Sequence, residues 1–240
     1  MGYSIGMDVS FFLRERLQFI RQFYFNSVVV FQTTKQKIED EEPPFVPVYN
    51  EDGNPSFEAE WQQAEDSIQV LGTTCLSMLS SSLKLYFTTV DGNYGFHPQP
   101  TYKGDFKKGF ITGYAAFYKS ELAINFEKAP CDLARLEEVA LIRNAFEHPS
   151  EIFSHQLSHP SLNHQSASMF FCRDDEVTAW AELEDKEKSW LWMAPSVHVN
   201  PESLSSALDA AGIFCDWLEN QLTRWRHPGT GNDTENLAEG

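Results

Sequence analysis

The chain has 240 residues, of which 42% are hydrophobic, so it is long enough and apolar enough to bury a sizeable core. Its 35 acidic residues outnumber the 18 lysines and arginines, which gives a formal net charge of -17. This balance excludes bulk nonspecific binding of DNA or RNA, because that mode depends on neutralising many phosphates with clustered basic side chains. Any contact with RNA must therefore be local.

Helical periodicity dominates the first half of the chain. Residues 8–40 contain no proline or glycine and carry apolar side chains at helical spacing, which predicts one long helix, although residues 28–31 also fit a strand. Residues 41–55 contain four prolines and a glycine, which interrupt helices, so this stretch predicts an extended loop. A stripe of apolar and small residues then predicts a second helix over residues 56–89, and a loop follows over residues 91–100.

Two further helices are predicted in the middle of the chain. Residues 105–127 carry many aromatic side chains at helical spacing, which are more typical of packing than of a ligand cage. A fourth helix begins after residues 130–132 and ends in the segment Arg143 to His148. Pro149 sets this end, because a proline disfavours helical geometry at the residue before it.

The character of the sequence changes after the fourth helix. Short aromatic and β-branched runs over residues 168–193 predict a small antiparallel β meander inserted in the helical fold. Asn200 and Pro201 favour the start of a final amphipathic helix that pairs with another helix. We therefore expect a mainly α antiparallel bundle of long helices in one domain (1–226), with a loop and meander inserted at about 150–199 and a disordered tail (227–240).

Cysteine spacing and hydropathy indicate the cellular compartment in which the protein is expected. The four cysteines lie about forty or more residues apart without a CxxC pair, a spacing that fits neither a zinc site nor a dense disulfide framework. We expect neither a secretory leader nor a membrane span, because the opening residues show no basic stretch followed by an apolar core and no later run approaches about eighteen consecutive apolar residues. We expect a cytoplasmic protein without membrane contact whose thiols are buried, namely Cys75, Cys131, Cys172 and Cys215.

An arginine and a histidine near the end of the fourth helix are the strongest functional signal. Arg143 falls within the apolar stripe of that helix, so its guanidinium needs a partner. Glu147, one turn later, can supply an ion pair; alternatively, Arg143 faces a cleft and holds a phosphate. Five steps along an ideal helix place His148 about 140° around from Arg143, so the two converge only if His148 leaves helical geometry.

The segment Arg143-Asn144-Ala145-Phe146-Glu147-His148 resembles the motif of the HEPN family (higher eukaryotes and prokaryotes nucleotide-binding). That motif is an arginine, usually a polar residue, several further residues and a histidine, in a late helix of a helical bundle. The similarity extends over the helical frame of residues 56–226, including the final amphipathic helix. The predicted meander departs from the family, whose core is helical.

The resemblance implies a metal-independent endoribonuclease, often a toxin or defence protein, whose active cleft forms between two copies of the chain. In that scheme two His148 side chains activate the ribose 2′-hydroxyl and protonate the leaving 5′-oxygen, while Arg143 holds the phosphate and Asn144 orients groups or binds the ribose. No cofactor is implied. The implied partners are a second copy, RNA or a nucleotide, and an antitoxin; inactive members of the family bind nucleotides or act as interaction modules, which keeps a nonenzymatic regulatory role as the alternative.

Further polar residues next to the motif are candidates for substrate binding, namely Glu147, His155 and His159. His155 and His159 also have the spacing of a metal pair on a helix. Because prolines interrupt this segment and the pattern lacks the internal glutamate of a zinc protease, we predict no metal site. A solvated, histidine-rich loop is the expected structure, and it could form a polar wall of an RNA cleft.

Overall fold

The computed structural model describes residues 8–47, 56–98, 101–148, 157–160, 169–183 and 194–228. This part of the chain is mainly helical, which confirms the predicted class. The helices are α1 (Val9–Glu39), α2 (Glu58–Tyr94), α3 (Lys103–Phe106), α4 (Phe110–Leu122), α5 (Leu133–Glu147), α6 (Asp174–Glu182) and α7 (Pro201–Arg226), and a 3-10 turn (Phe126–Lys128) lies between α4 and α5.

The long helices α1, α2, α5 and α7 form an antiparallel bundle. Helix α1 packs on α2 and α7, and α5 packs on the same two helices. Lys35 pairs with Glu65, and the Nε of Arg16 donates to the Oγ of Ser82 at 3.3 Å, so α1 and α2 run in opposite directions. Helix α7 also opposes α1, as two ion pairs show: Arg14 with Asp216 and Arg21 with Asp209.

Helix α5, which carries the Arg143 motif, runs against α2. Phe126, in the turn before α5, lies 6.2 Å from Phe87 between ring centroids, whereas Glu147 at the end of α5 contacts Ser77. The Oδ1 of Asp132 accepts a hydrogen bond from the N–H of Ala134 at 3.1 Å and caps the start of the helix. The buried face of α5 fixes its rotation and consists of Leu136, Glu138, Val139, Ala140 and Ile142.

Two predicted helix boundaries are wrong. Helix α2 continues to Tyr94 through the first residues of the predicted loop, and it stops at Gly95, whose φ of 70° suits a glycine that closes a helix. The predicted helix over residues 105–127 is interrupted between α3, which ends at Phe106, and α4, which begins at Phe110, and α4 ends early because Ala123 adopts a left-handed φ of 57°. The alternative of a strand over residues 28–31 is also wrong, since those residues lie within α1.

The predicted β meander does not occur among the described residues. Its middle strand, predicted over 176–181, is the helix α6, and no strand forms in the described ranges beyond an isolated bridge between Ser158 and Ser196. Acidic side chains at the start of α6 oppose the positive end of the helix dipole and favour this helix: Asp174, Asp175 and Glu176. The third predicted strand, over residues 189–193, lies outside the described residues.

The last helix begins as predicted. The Oδ1 of Asn200 accepts a hydrogen bond from the N–H of Ser203 at 2.7 Å, and Ser203 reciprocates, so both ends of a capping box are made. The predicted disordered tail lies largely outside the described residues. None of the helices described here is long and apolar enough to cross a membrane.

Candidate functional site

The side chains of Arg143 and Glu147 form an ion pair on the surface of α5. The guanidinium also donates to the neighbouring Asn144, with 3.1 Å between Nη1 and Oδ1. Arg143 is half-buried, and Asn144 is exposed. The ion pair that the sequence offered as the ordinary explanation of Arg143 is therefore present, and it orients the guanidinium beside Asn144 at the outer edge of the helix.

Ser77 of α2 connects this pair to the rest of the bundle. Its Oγ donates to the Oε1 of Glu147 at 3.2 Å, while the Oε2 of Glu147 faces Arg143. Each carboxylate oxygen of Glu147 thus has its own partner. The spacing of Arg143 and Glu147 offered their contact as one of two alternatives, whereas the role of Ser77 depends on packing between two helices.

His148 leaves helical geometry, as the sequence predicts. Its φ of -129° and ψ of 63° lie outside the helical region, and its N–H donates to the carbonyl oxygen of Asn144 at 3.2 Å. The side chain is exposed. Within the described residues, no hydrogen bond or ion pair joins His148 to Arg143, so a single chain brings the two residues to one helix end without direct contact.

His159 lies in a different environment from the one predicted. It is buried, and its Nε2 lies 2.8 Å from the Oε1 of Glu138, which is also buried. The expectation that His159 belongs to a solvated loop is therefore wrong, because this imidazole is enclosed between α5 and the chain that returns to it. His155, the other predicted member of the pair, lies outside the described residues.

Glu138 anchors two segments of chain to α5. Besides the contact with His159, its carboxylate accepts hydrogen bonds from the N–H groups of Phe170 at 3.1 Å and Phe171 at 3.0 Å. Backbone bonds from His198 to Phe171 and from Val197 to Leu157 extend the connection to the start of α7. The buried carboxylate of Glu138 thus holds two stretches of the chain against α5, one at His159 and the other at residues 170–171.

Glu138 could have been suspected from its position in the sequence. It is a charged residue on a helix face that is otherwise apolar, and a buried carboxylate needs partners of its own. The partners themselves come from residues 21, 32 and 33 positions away, which no local pattern specifies. This carboxylate is structural in the described part of the chain, since backbone groups and His159 surround it.

The four cysteines are free thiols in the structure. Cys75 and Cys215 are buried as predicted, whereas Cys131 and Cys172 are only half-buried. Burial raises the pKa of Cys172 to about 12, and the nearby carboxylates of Glu138 and Glu176 add to the effect. Because the thiolate is the reactive form, this residue is a poor nucleophile at neutral pH.

No group of three or more histidine, cysteine or acidic side chains within the described residues is arranged to hold a metal ion. Comparison with protein-family models, with curated proteins and with solved structures finds no match to this chain. The candidate site is therefore defined by its own geometry: a half-buried arginine, an exposed amide and an exposed imidazole at the C-terminal end of α5. These groups can bind an anion and transfer protons.

Proposed function

We propose that this protein is a metal-independent endoribonuclease of the HEPN type that acts as a homodimer. The proposal is supported by one observation above all. Helix α5 ends at His148, whose backbone has left helical geometry. Its exposed imidazole lies at the same end of the helix as the guanidinium of Arg143. A histidine near a fixed cation is the minimal combination for cleaving a phosphodiester without a metal.

The reaction needs a base, an acid and a cation. One His148 takes the proton of the ribose 2′-hydroxyl, and the 2′-oxygen attacks the adjacent phosphorus. The bond from phosphorus to the 5′-oxygen breaks, and the His148 of a second copy donates its proton to that oxygen. The products are a 2′,3′-cyclic phosphate and a 5′-hydroxyl, and no water is consumed in this step.

Arg143 stabilises the charge that develops on the phosphate in the transition state. In the free protein its guanidinium is held by Glu147, so a phosphate must compete with this carboxylate for the cation. Asn144 is exposed beside the guanidinium and can contact the ribose. Glu147 therefore orients Arg143 and at the same time limits its affinity for RNA, which fits a protein of net charge -17 that must contact RNA locally.

A nonenzymatic role is the second candidate, and the same ion pair favours it. If Glu147 neutralises Arg143 permanently, the helix end is an ordinary surface, and His148 serves only as the last residue of α5. The protein would then be a helical binding or regulatory module. A toxin role, a defence role and a dedicated antitoxin depend on nuclease activity and belong to the first candidate alone.

Incubation of the purified protein with structured and single-stranded RNA in EDTA separates the two candidates. The ribonuclease proposal predicts cleavage in the chelator, and it predicts that His148→Ala lowers the rate by at least about 100-fold. His97→Ala is the matched control, because His97 is another exposed histidine in the described chain and lies outside α5. Absence of cleavage by the wild-type protein on every RNA would favour the binding module.

A further inference from the structure

Helix α1 has an outer surface that is unusually apolar. Of the twelve large hydrophobic side chains that are exposed among the described residues, seven lie on α1, and four of these share one face of the helix: Phe12, Phe19, Phe23 and Val30. Phe19 and Val30 retain 58% and 64% of their exposure, and the rings of Phe19 and Phe23 stack at 6.2 Å. Contiguous apolar surface of this kind marks a place where another molecule packs.

These four side chains and two exposed polar side chains between them follow a regular pattern that we call the α1 seam. Its members alternate at steps of four and three residues, which is the repeat of a helix that pairs with another helix. All of them are exposed. The α1 seam consists of Phe12, Arg16, Phe19, Phe23, Asn26 and Val30.

The α1 seam is symmetric about Arg21 along the sequence. When a second α1 is laid against the first in the opposite direction with this residue as the centre, apolar positions meet apolar positions and polar positions meet polar positions. An interface between identical copies has this self-complementary property. The facing pairs are Phe12 with Val30, Arg16 with Asn26, and Phe19 with Phe23.

Charge selects the antiparallel direction. In that direction Arg16 faces the amide of Asn26, which can accept its hydrogen bond, whereas a parallel pair would place Arg16 opposite its own copy. The outer face of α1 around the seam carries one acidic and one basic side chain, Glu15 and Arg16, in a protein of net charge -17. Two copies can therefore approach along this face without the repulsion expected elsewhere on their surfaces.

A groove beside the α1 seam can accommodate the α1 helix of a second copy. It runs between α1 and α2 in two stretches of about 590 and 800 Å³. The α2 wall of the groove contains small side chains, Thr74, Ser77 and Ser81, which permit a close approach of another helix. Phe12, Phe19 and Phe23 form the opposite wall.

We infer that the α1 seam is the interface for an antiparallel pairing with a second copy of this chain, with the two-fold axis level with Arg21. The contacts between α1 and α2 place Arg21 level with about Ser77, whose hydroxyl lines the groove and contacts Glu147. Arg143, which pairs with Glu147, therefore lies at about the level of the axis in each copy, and α2 lies between α1 and the helix α5 that carries it. The pairing is argued from α1 and its groove and does not rest on the proposed function.

Sedimentation equilibrium of the full chain tests the pairing. The wild-type protein should be a dimer, and Phe23→Glu should weaken the dimer by about 100-fold or more, because it places one charge from each copy next to the two-fold axis. Phe25→Glu is a close control: Phe25 is 40% exposed and Phe23 is 38% exposed, but Phe25 points away from the α1 seam. The control should remain a dimer.

Cysteine cross-linking tests the direction and the register. The double variant Arg16→Cys/Asn26→Cys should form covalent dimers on oxidation, because each new thiol faces the other residue's position on the partner. The two thiols of one chain cannot join, since ten helical residues separate them by about 15 Å. Each single variant should stay uncross-linked; cross-linking of Arg16→Cys alone would indicate a parallel pair and overturn the inference.

These measurements are independent of RNA cleavage. A dimer that dissociates on Phe23→Glu but cleaves no RNA would leave the α1 seam intact and remove only the proposed function. A wild-type protein that stays monomeric at the highest accessible concentration would overturn the inference, even if it cleaves RNA. Binding of such a monomer to phosphatidylcholine vesicles, lost in Phe23→Glu, would assign the seam to a lipid surface and overturn it as well.

Discussion

Glu147 holds Arg143 by an ion pair one helical turn before α5 ends at His148. Both side chains retain part of their exposure, so the pair contributes only about 0.3–0.5 kcal/mol to folding. Its importance lies in the competition that it imposes, because the carboxylate occupies the cation that a phosphate would need. The pair is thus more relevant to ligand binding than to stability.

Glu147→Gln should raise the affinity for a short RNA a few-fold, because it removes one negative charge and the competitor of Arg143. The free energy of unfolding should fall by less than about 0.5 kcal/mol. Glu137→Gln removes the same charge from an exposed position of α5 and should leave RNA affinity nearly unchanged. Equal effects of the two variants, measured by fluorescence anisotropy, would mean that Arg143 does not bind the phosphate.

Glu138→Ala should destabilise the protein by about 3 kcal/mol, because the backbone N–H groups of Phe170 and Phe171 and the ring of His159 lose their buried partner. Chemical denaturation measures the change. Glu137→Ala, at the adjacent exposed position, should shift the free energy of unfolding by less than about 1 kcal/mol. A small effect of Glu138→Ala would contradict the anchoring role of this carboxylate.

Gly72→Ala should destabilise the protein by about 1–3 kcal/mol, since the new Cβ would lie 2.5 Å from the Cβ of Val199. Removal of that side chain in the double variant Gly72→Ala/Val199→Gly should recover part of the loss in a double-mutant cycle. Gly92→Ala is the control within the same helix, because no atom lies within 4 Å of its added Cβ. It should stabilise the protein by up to about 1 kcal/mol.

Glu65 should make the free energy of unfolding depend on pH in the acidic range. Burial raises the pKa of Glu65, but hydrogen bonds from Lys35 and Gln69 outweigh it, so the net pKa lies below its usual 4.5. A lowered pKa in the folded state means that the charged carboxylate stabilises the protein above about pH 4.5, and that this contribution is lost as the pH falls through the folded value. The difference between wild type and Glu65→Gln should therefore be largest near pH 7.

Urea titrations of the two proteins between pH 7 and pH 3 check this prediction. The curves of stability against pH should converge in the acidic range, where the wild-type carboxyl is also protonated. Parallel curves across the whole range would show that Glu65 has the same pKa in the folded and unfolded states.

Local patterns predicted the parts of the fold that depend on local interactions. The cap of α7 and the departure of His148 from the helix involve residues within a few positions of one another, and so does the ion pair between Arg143 and Glu147, which the spacing offered as one of two alternatives. Hydrophobic runs were less informative at residues 176–181. There, three acidic residues at a helix start outweighed β-branched and aromatic side chains.

The unpredicted contacts of the site depend on tertiary packing. Ser77 reaches Glu147 across two helices, and Glu138 contacts residues more than twenty positions away. His159 has the sequence context of a solvated loop, yet it is buried because the chain folds back onto α5. The boundaries of α2 and α4 were also missed, since a glycine and an alanine in left-handed geometry end them rather than a proline.

The end groups of the RNA products test the central claim most directly. Attack by the 2′-oxygen predicts a 2′,3′-cyclic phosphate on one fragment and a 5′-hydroxyl on the other, formed in EDTA and lost in both Arg143→Ala and His148→Ala. Mass spectrometry of the fragments identifies both ends. Fragments that carry a 3′-hydroxyl and a 5′-phosphate, or cleavage that persists in His148→Ala, would contradict the assignment of this site.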